Sequence, residues 1–303
     1  MKVILLLLVV SFSCEKKWWK RTRSRSSSSR DSLDKELANV AASGGAADVD
    51  ALIKKGADVN RPIGSGKDTP FTYAVIASNK EVVHFLLPNV SHSNIICALD
   101  KVIETQNIEM LKMFLGHFVE NGEDQEIENI FLLAIENSTL EVVKEVLRGR
   151  DYLPSAEGML KNGIILAVKN NIVDVAEILL SNGANIDMGG SESPLFILAV
   201  ERDYLDMAKL LIEFGADVNE PNENGQTPLM VSILSPTSDE MMKMLMGENA
   251  NPFVKDNSDR TIAEYANSYS RSVNNKKDLL DIYIESKAIE MSNLENRGNS
   301  QES

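Results

Sequence analysis

One short phrase occurs three times in this chain, as Gly56-Ala57-Asp58-Val59-Asn60, Gly183-Ala184-Asn185-Ile186-Asp187 and Gly215-Ala216-Asp217-Val218-Asn219. Each copy follows an apolar pattern of helical period, in Val49/Leu52/Ile53, Val175/Ile178/Leu179/Leu180 and Met207/Leu210/Leu211/Ile212. The acidic residue that opens this pattern gives a register mark: Asp48, Glu81, Glu109, Glu141, Asp174, Asp206 and Glu240. Successive marks lie 33, 28, 32, 33, 32 and 34 residues apart. A fixed period in this range means one supersecondary unit repeated, each copy burying its apolar face against the next. A chain built this way grows by stacking, so its 303 residues set no domain count.

The unit has its own punctuation. Thr69-Pro70, Ser193-Pro194 and Thr227-Pro228 stand upstream of three marks. A hydroxyl residue caps a helix start, and proline fits the first helical position because its missing N–H has no partner there. The glycine that closes each unit marks a helix end in left-handed backbone. The unit therefore reads as cap, first helix, turn, second helix, glycine stop and an extended segment.

Together these phrases resemble ankyrin repeats, with their Thr-Pro-Leu-His start, Leu-Leu second helix and Gly-Ala-Asp-Val-Asn entry. The resemblance covers residues 34–268 and implies an all-α ankyrin-repeat solenoid of about seven helix-turn-helix units plus a C-terminal capping helix. Units three (Ile95 to Leu115) and four (Ile130 to Leu147) keep the helix pair but lack the hairpin phrases. No unit carries the motif's histidine; Thr72, Phe196 and Met230 fill that slot. The usual Thr-to-His hydrogen bond is therefore expected to be missing. A capping helix is expected over residues 269–291, with a polar outer face, and a disordered tail over 292–303.

The N-terminus has another character. Lys2 and the apolar run Val3–Val10 fit a signal sequence over residues 1–13, and the run is too short to span a bilayer. Ser11-Phe12-Ser13-Cys14 resembles the lipobox of bacterial lipoproteins, although Ser11 and Phe12 depart from it. That resemblance implies lipidation at Cys14 and a lipid-anchored place in the cell envelope; the competing expectation is a cytoplasmic protein. Residues 14–33 read as a basic, Ser-rich tether, with Trp18 and Trp19 suited to a membrane interface.

Charge separates the two parts. The chain carries 31 Lys and Arg against 45 Asp and Glu, a net of −14. Residue 2 supplies +1 and residues 15–30 supply +6, so residues 31–303 carry −21. An array this acidic repels phosphate backbones, and no nucleic-acid partner is expected. Catalytic and metal sites are also expected to be absent. His84, His92 and His117 stand in no ligand spacing, and the chain has no phosphate-cradling glycine loop, Gly-x-Ser-x-Gly elbow or HExxH pair. Neither a cofactor nor a small-molecule substrate is implied. Cys97, the second of two cysteines, reads as a buried apolar residue of the first helix of unit three, with no disulfide available to it. Met241, Met242, Met244 and Met246 fall in the apolar slots of a second helix and read as core.

The resemblance places function on a surface. Partners of such arrays lie on the concave side, against first-helix positions and hairpin tips. By register these positions are Ile76, Glu104, Glu136, Asn137, Lys169, Asn170, Glu201 and Arg202 on first helices, and Arg61, Ile63, Lys67, Glu220, Asn222 and Glu223 on the tips. The implied partner is an unidentified protein, with the membrane reached through the Cys14 lipid; the alternative is a cytoplasmic scaffold, or a secreted effector or inhibitor that binds a host or periplasmic enzyme.

Overall fold

The computed structural model describes residues 27–64, 67–149, 156–186, 193–234, 237–268 and 274–299. The signal and lipobox expectations, Cys14 and both tryptophans lie outside these residues. The described chain is all helix: α1 (Ser27–Ser43), α2 (Ala46–Lys54), α3 (Pro70–Ile76), α4 (Lys80–Leu86), α5 (His92–Glu104), α6 (Ile108–Asn121), α7 (Asp124–Glu136), α8 (Leu140–Arg148), α9 (Ala156–Lys169), α10 (Val173–Ser181), α11 (Leu195–Glu201), α12 (Leu205–Glu213), α13 (Pro228–Leu234), α14 (Asp239–Gly247), α15 (Ile262–Ser268) and α16 (Asn274–Asn299). A 3-10 turn, Leu87–Asn89, follows α4 at Pro88. No strand occurs among the described residues. The fold class is that of an all-α ankyrin-repeat solenoid.

Two compact units divide the chain, one holding residues 1–127 and 141–153, the other 128–140 and 154–303. In the first, α1 packs along α3 and α3 along α5. Its core joins Leu37 and Ala41 of α1, Phe71 and Ala74 of α3, Val82, Val83 and Leu86 of α4, Ala98 and Leu99 of α5, and Met110, Leu111 and Phe114 of α6. The Phe71 and Phe114 rings meet at 6.0 Å, tilted by 49°. In the second unit, Phe131 and Ile135, Ile164 and Ala167, Val175 and Leu179, Phe196 and Ala199, Met207 and Leu211, Met230 and Ile233, and Met241, Met242 and Leu245 repeat the same burial. Of the four methionines read as core, Met241 and Met242 are fully buried, whereas Met244 and Met246 are half-buried at its edge.

Helix ends explain the period. Three residues before the marks at 81, 109, 141, 174 and 206 stand Ser78, Gln106, Ser138, Asn171 and Asp203, all in left-handed backbone with φ between 50° and 57°. Each ends a first helix by the same pair of bonds. The Ser78 N–H donates to the Val75 carbonyl at 3.0 Å and the Asn79 N–H to that of Ala74 at 2.9 Å. This saturates carbonyls that the helix leaves open. Second helices close likewise at Gly56, Gly183 and Gly215, with φ of 100°, 88° and 96°. In the last copy Asn249, at φ 61°, takes the glycine's place.

The repeated phrase ties neighbours together. The Asp58 carboxylate accepts from the Asn60 N–H at 2.9 Å, folding a tight turn. The Asn60 Oδ1 then accepts from the Ser91 N–H at 2.7 Å, in the following repeat. Asp217 and Asn219 repeat the arrangement, with Asn219 Oδ1 accepting from the Asn251 N–H at 2.6 Å. The terminal Asn of the phrase is thus a fixed cross-brace.

The Thr-to-His bond is missing as expected, but its place is filled, and four other expectations need correction. Thr72 replaces the missing histidine: its Oγ1 accepts from the Thr69 N–H, while Thr69 Oγ1 accepts from the Thr72 N–H, both at 3.3 Å, a reciprocal capping box. At the Ser193-Pro194 start, proline is itself the cap residue, α11 begins at Leu195 and no side chain caps it. Helix α1 begins at Ser27, inside the segment read as tether. Helix α16 runs to Asn299, through most of the expected tail, and its outer face carries the exposed Ile282 and Ile289. Finally, Cys97 is half-buried and disulfide-bonded, where an unpaired thiol was expected.

Candidate functional site

Stacking consumes one side of every first helix and leaves the other. In the first unit, Tyr73 and Ile76 lie one turn apart on α3, 37% and 56% exposed. Both are large apolar side chains left in water beside a filled core. Along α5, Cys97, Lys101 and Glu104 follow at helical spacing on one face. Lys101 donates to the Glu104 carboxylate at 2.9 Å. That bond, reinforced by charge from Asp68 and Asp100, raises the Lys101 ammonium above its ordinary range. Desolvation and the nearby Glu104 push the Asp100 carboxyl up, against Lys101, which draws it down. This end of the surface is apolar on α3 and predominantly acidic between Asp68 and Glu104.

The second unit presents a different face. Eight residues before their marks, Leu133, Leu166 and Leu198 occupy equivalent places on α7, α9 and α11, each half-buried. One turn further stand Glu136, Lys169 and Glu201. Desolvation raises the Glu136 carboxyl above the usual carboxylate value. Adjacent helices are braced across this row. Asn162 donates to Glu128 at 2.7 Å, and Arg202 Nη1 donates to the Lys169 carbonyl at 3.0 Å.

Not every residue singled out by register is available for binding. Arg61 sits between two carboxylates of α1, 2.5 Å from Asp31 and 3.3 Å from the buried Asp34. Asn137 donates to the Leu133 carbonyl at 3.0 Å and closes its own helix. Asn222 accepts from the Asn224 and Gln226 N–H groups, both at 3.0 Å, and builds the finger. Ile63 donates its N–H to the Asp68 carbonyl at 2.8 Å, pinning its finger at the neck, and is half-buried. Lys67, Asn170, Glu201 and Glu223 are exposed, and Glu220 is half-buried. Tyr73, Lys101 and the leucine row went unmarked in the sequence. The position eight before each register mark would have found them.

The fingers of the second unit are stitched to each other. Gly225, at φ 75°, brings its Cα so close to the next finger that an added Cβ would lie 2.6 Å from the Asn257 nitrogen. Asn257 donates to the Glu223 carbonyl at 2.9 Å, and Gln226 donates to the Tyr265 hydroxyl at 3.1 Å. Tyr265 in turn donates to the buried Asp256 carboxylate at 2.5 Å, which also accepts from Arg260 Nη2 at 2.8 Å. The Tyr265 hydroxyl, with bonds from Arg260 and Ser258, holds the Asp256 carboxyl well below the usual carboxylate range.

The histidines lie apart. His84 is exposed on α4, His92 lies 3.1 Å from Glu126 at the start of α5, and His117 packs edge-on to Phe118. Among the described residues no three His, Cys, Asp or Glu side chains converge as a metal site, and no helix is long and apolar enough to cross a membrane.

Comparison with known families agrees with this geometry. No curated protein matches the chain. Residues 47–87 match the family model for ankyrin repeats (many copies), and residues 164–256 match that for ankyrin repeats (3 copies). These segments contain the phrases at Gly56, Gly183 and Gly215, and the left-handed turns and cross-braces described above give them their physical form. Over these two segments the chain is built of ankyrin repeats.

Proposed function

We propose that this chain is a non-catalytic recognition module that grips another protein with the exposed face of its first helices. One observation carries the reading. Leu133, Leu166 and Leu198 form a half-buried apolar row at one register, ringed by Glu136, Lys169 and Glu201, while the equivalent inner positions are fully spent on stacking. Apolar area held partly in water within a polar rim is the usual composition of a binding patch. Ankyrin repeats generally mediate protein-protein contacts, which supports the same conclusion. Partner capture by the purified chain should be compared with that of Leu166→Ser/Leu198→Ser and of the exposed control Lys209→Ser. The reading predicts loss in the first and retention in the second; equal capture by all three contradicts it.

Export is part of the proposal. The apolar Val3–Val10 start supports it, and so does the disulfide at Cys97, because such bonds persist in oxidising compartments. A lipid on Cys14 would display the array from a membrane. With two cysteines in the chain, that thioether and a disulfide within one chain compete for the same sulfur. Labelling cells with a clickable palmitate, native chain against Cys14→Ala, separates the anchored form from the unanchored one.

A further inference from the structure

The second helices α2 and α4 of the first unit line a cavity of about 340 Å³, within the size range of small-ligand sites. It lies where the chain departs from its own repeat. The first repeat ends in the glycine phrase, whereas the second ends in the 3-10 turn Leu87–Asn89, and residues of both endings form the wall. The apolar lining is Ile53 of α2, Phe85 of α4 and, from the phrase, the buried Ala57 and Val59. The polar lining is Asp50, Asp58 and Asn89, with no cationic side chain among the described residues.

Hydrogen bonds fix these walls in advance. The Asp58 N–H donates to the buried Asp34 carboxylate at 2.9 Å, and Asp58 Oδ1 accepts from the Asn60 N–H at 2.9 Å. Asn60 Nδ2 then donates to the Asn89 carbonyl at 3.3 Å, which ties one wall to the other. Walls already held in place spare a ligand the cost of ordering them. Asp50 pairs with Lys54 at 2.6 Å, the two side chains 38% and 75% exposed. An ion pair so open to water contributes little and is readily exchanged for another cation.

We propose that this cavity binds a small organic cation, an ammonium carried on an apolar body. The body packs against Ile53, Ala57, Val59 and Phe85, and the ammonium reaches the Asp50 and Asp58 carboxylates. An anion meets two carboxylates and is excluded. The net charge of −21 over residues 31–303 gathers cations of every shape, and the apolar lining selects among them. No residue of the first-helix face lines the cavity, so the inference stands apart from partner capture.

Fluorine NMR titration of the full chain tests this with para-fluorophenethylammonium, its uncharged alcohol analogue and the anionic para-fluorophenylpropionate, all at one ionic strength. The ammonium should bind about tenfold tighter than the alcohol, and the anion should not bind. Asp50→Asn/Asp58→Asn keeps an acceptor for the Asn60 N–H and should erase that preference. Asp259→Asn, at an exposed carboxylate of the second unit, should leave it intact. Ile53→Trp fills the cavity and should remove binding of ammonium and alcohol together; if that variant does not fold, the near-isosteric asparagine variant still decides. Equal affinity for ammonium and alcohol overturns the proposal, and so does a preference unchanged in the asparagine variant. A peptide with one central lysine that binds where the free ammonium does not assigns the cavity to a protein partner and overturns it too.

Discussion

Replacing Thr72 by valine removes one hydroxyl from the best-defined helix start in the first unit and changes little else. Thr69 and Thr72 are 1% and 2% exposed. Valine keeps the γ-methyl and the shape. What it deletes is the acceptor for the Thr69 N–H at 3.3 Å and the partner of the Thr69 hydroxyl at 3.1 Å. A buried donor left without an acceptor costs roughly 1–3 kcal/mol, and loss of a cap roughly 0.5–2. Both bonds are long for their type, which favours the lower half of these ranges. A destabilisation of about 1–2 kcal/mol follows, equivalent to a roughly five- to thirtyfold change in the local opening equilibrium. Hydrogen exchange reads this directly. Amides of α3 in Thr72→Val should exchange about tenfold faster than in the native chain, while those of α12 should not change. Exchange of α3 within twofold of native refutes the claim that Thr72 substitutes for the family's histidine.

Three further outcomes follow from the second unit. Gly225→Ala sets a side chain at φ 75° against the Asn257 backbone; the left-handed strain alone is roughly 1–2 kcal/mol, so a urea midpoint shift confined to this unit's transition is expected. Asp256→Asn should destabilise the chain at pH 7. Because the native carboxyl is held below its ordinary value of 3.8, its contribution is complete above that pH and fades as pH falls through it, so melting curves of variant and native should converge in acid. Under mild peroxide, Met291 at 52% exposure should oxidise before Met241 and Met242 at 0%, and the melting transition should fall only when the buried pair reacts, as followed by peptide mass mapping beside thermal denaturation.

Legibility in the sequence tracked the physical cause of each feature. Gly56, Gly183 and Gly215 could be read because positive φ selects glycine so strongly. The matching turns at Ser78, Gln106, Ser138, Asn171 and Asp203 could not, since five different neighbourhoods impose that backbone through hydrogen bonds that no single residue type announces. The apolar slots were plain because burial demands one chemistry at one spacing. The capping role of Thr72 was not legible because the motif names a histidine, whereas the cap needs only an acceptor at the third helical position. Surface residues were least legible. Arg61 and Asn222 face outward by register, yet one is claimed by Asp31 and Asp34 and the other by its own turn. Ionic and turn contacts obey local geometry rather than period, and the register is silent about them. Helix α1 was hidden by a serine-rich start that composition alone assigns to a tether.

A photo-crosslinking scan tests the central claim most directly. A benzophenone side chain is placed in turn at Ile76, Glu104, Glu136, Lys169 and Glu201 on the first helices, and at the exposed His84, Glu177, Lys209 and Lys243 on the second. With a captured partner, the account predicts adducts at the first set and none at the second. Adducts concentrated on the second helices would contradict it.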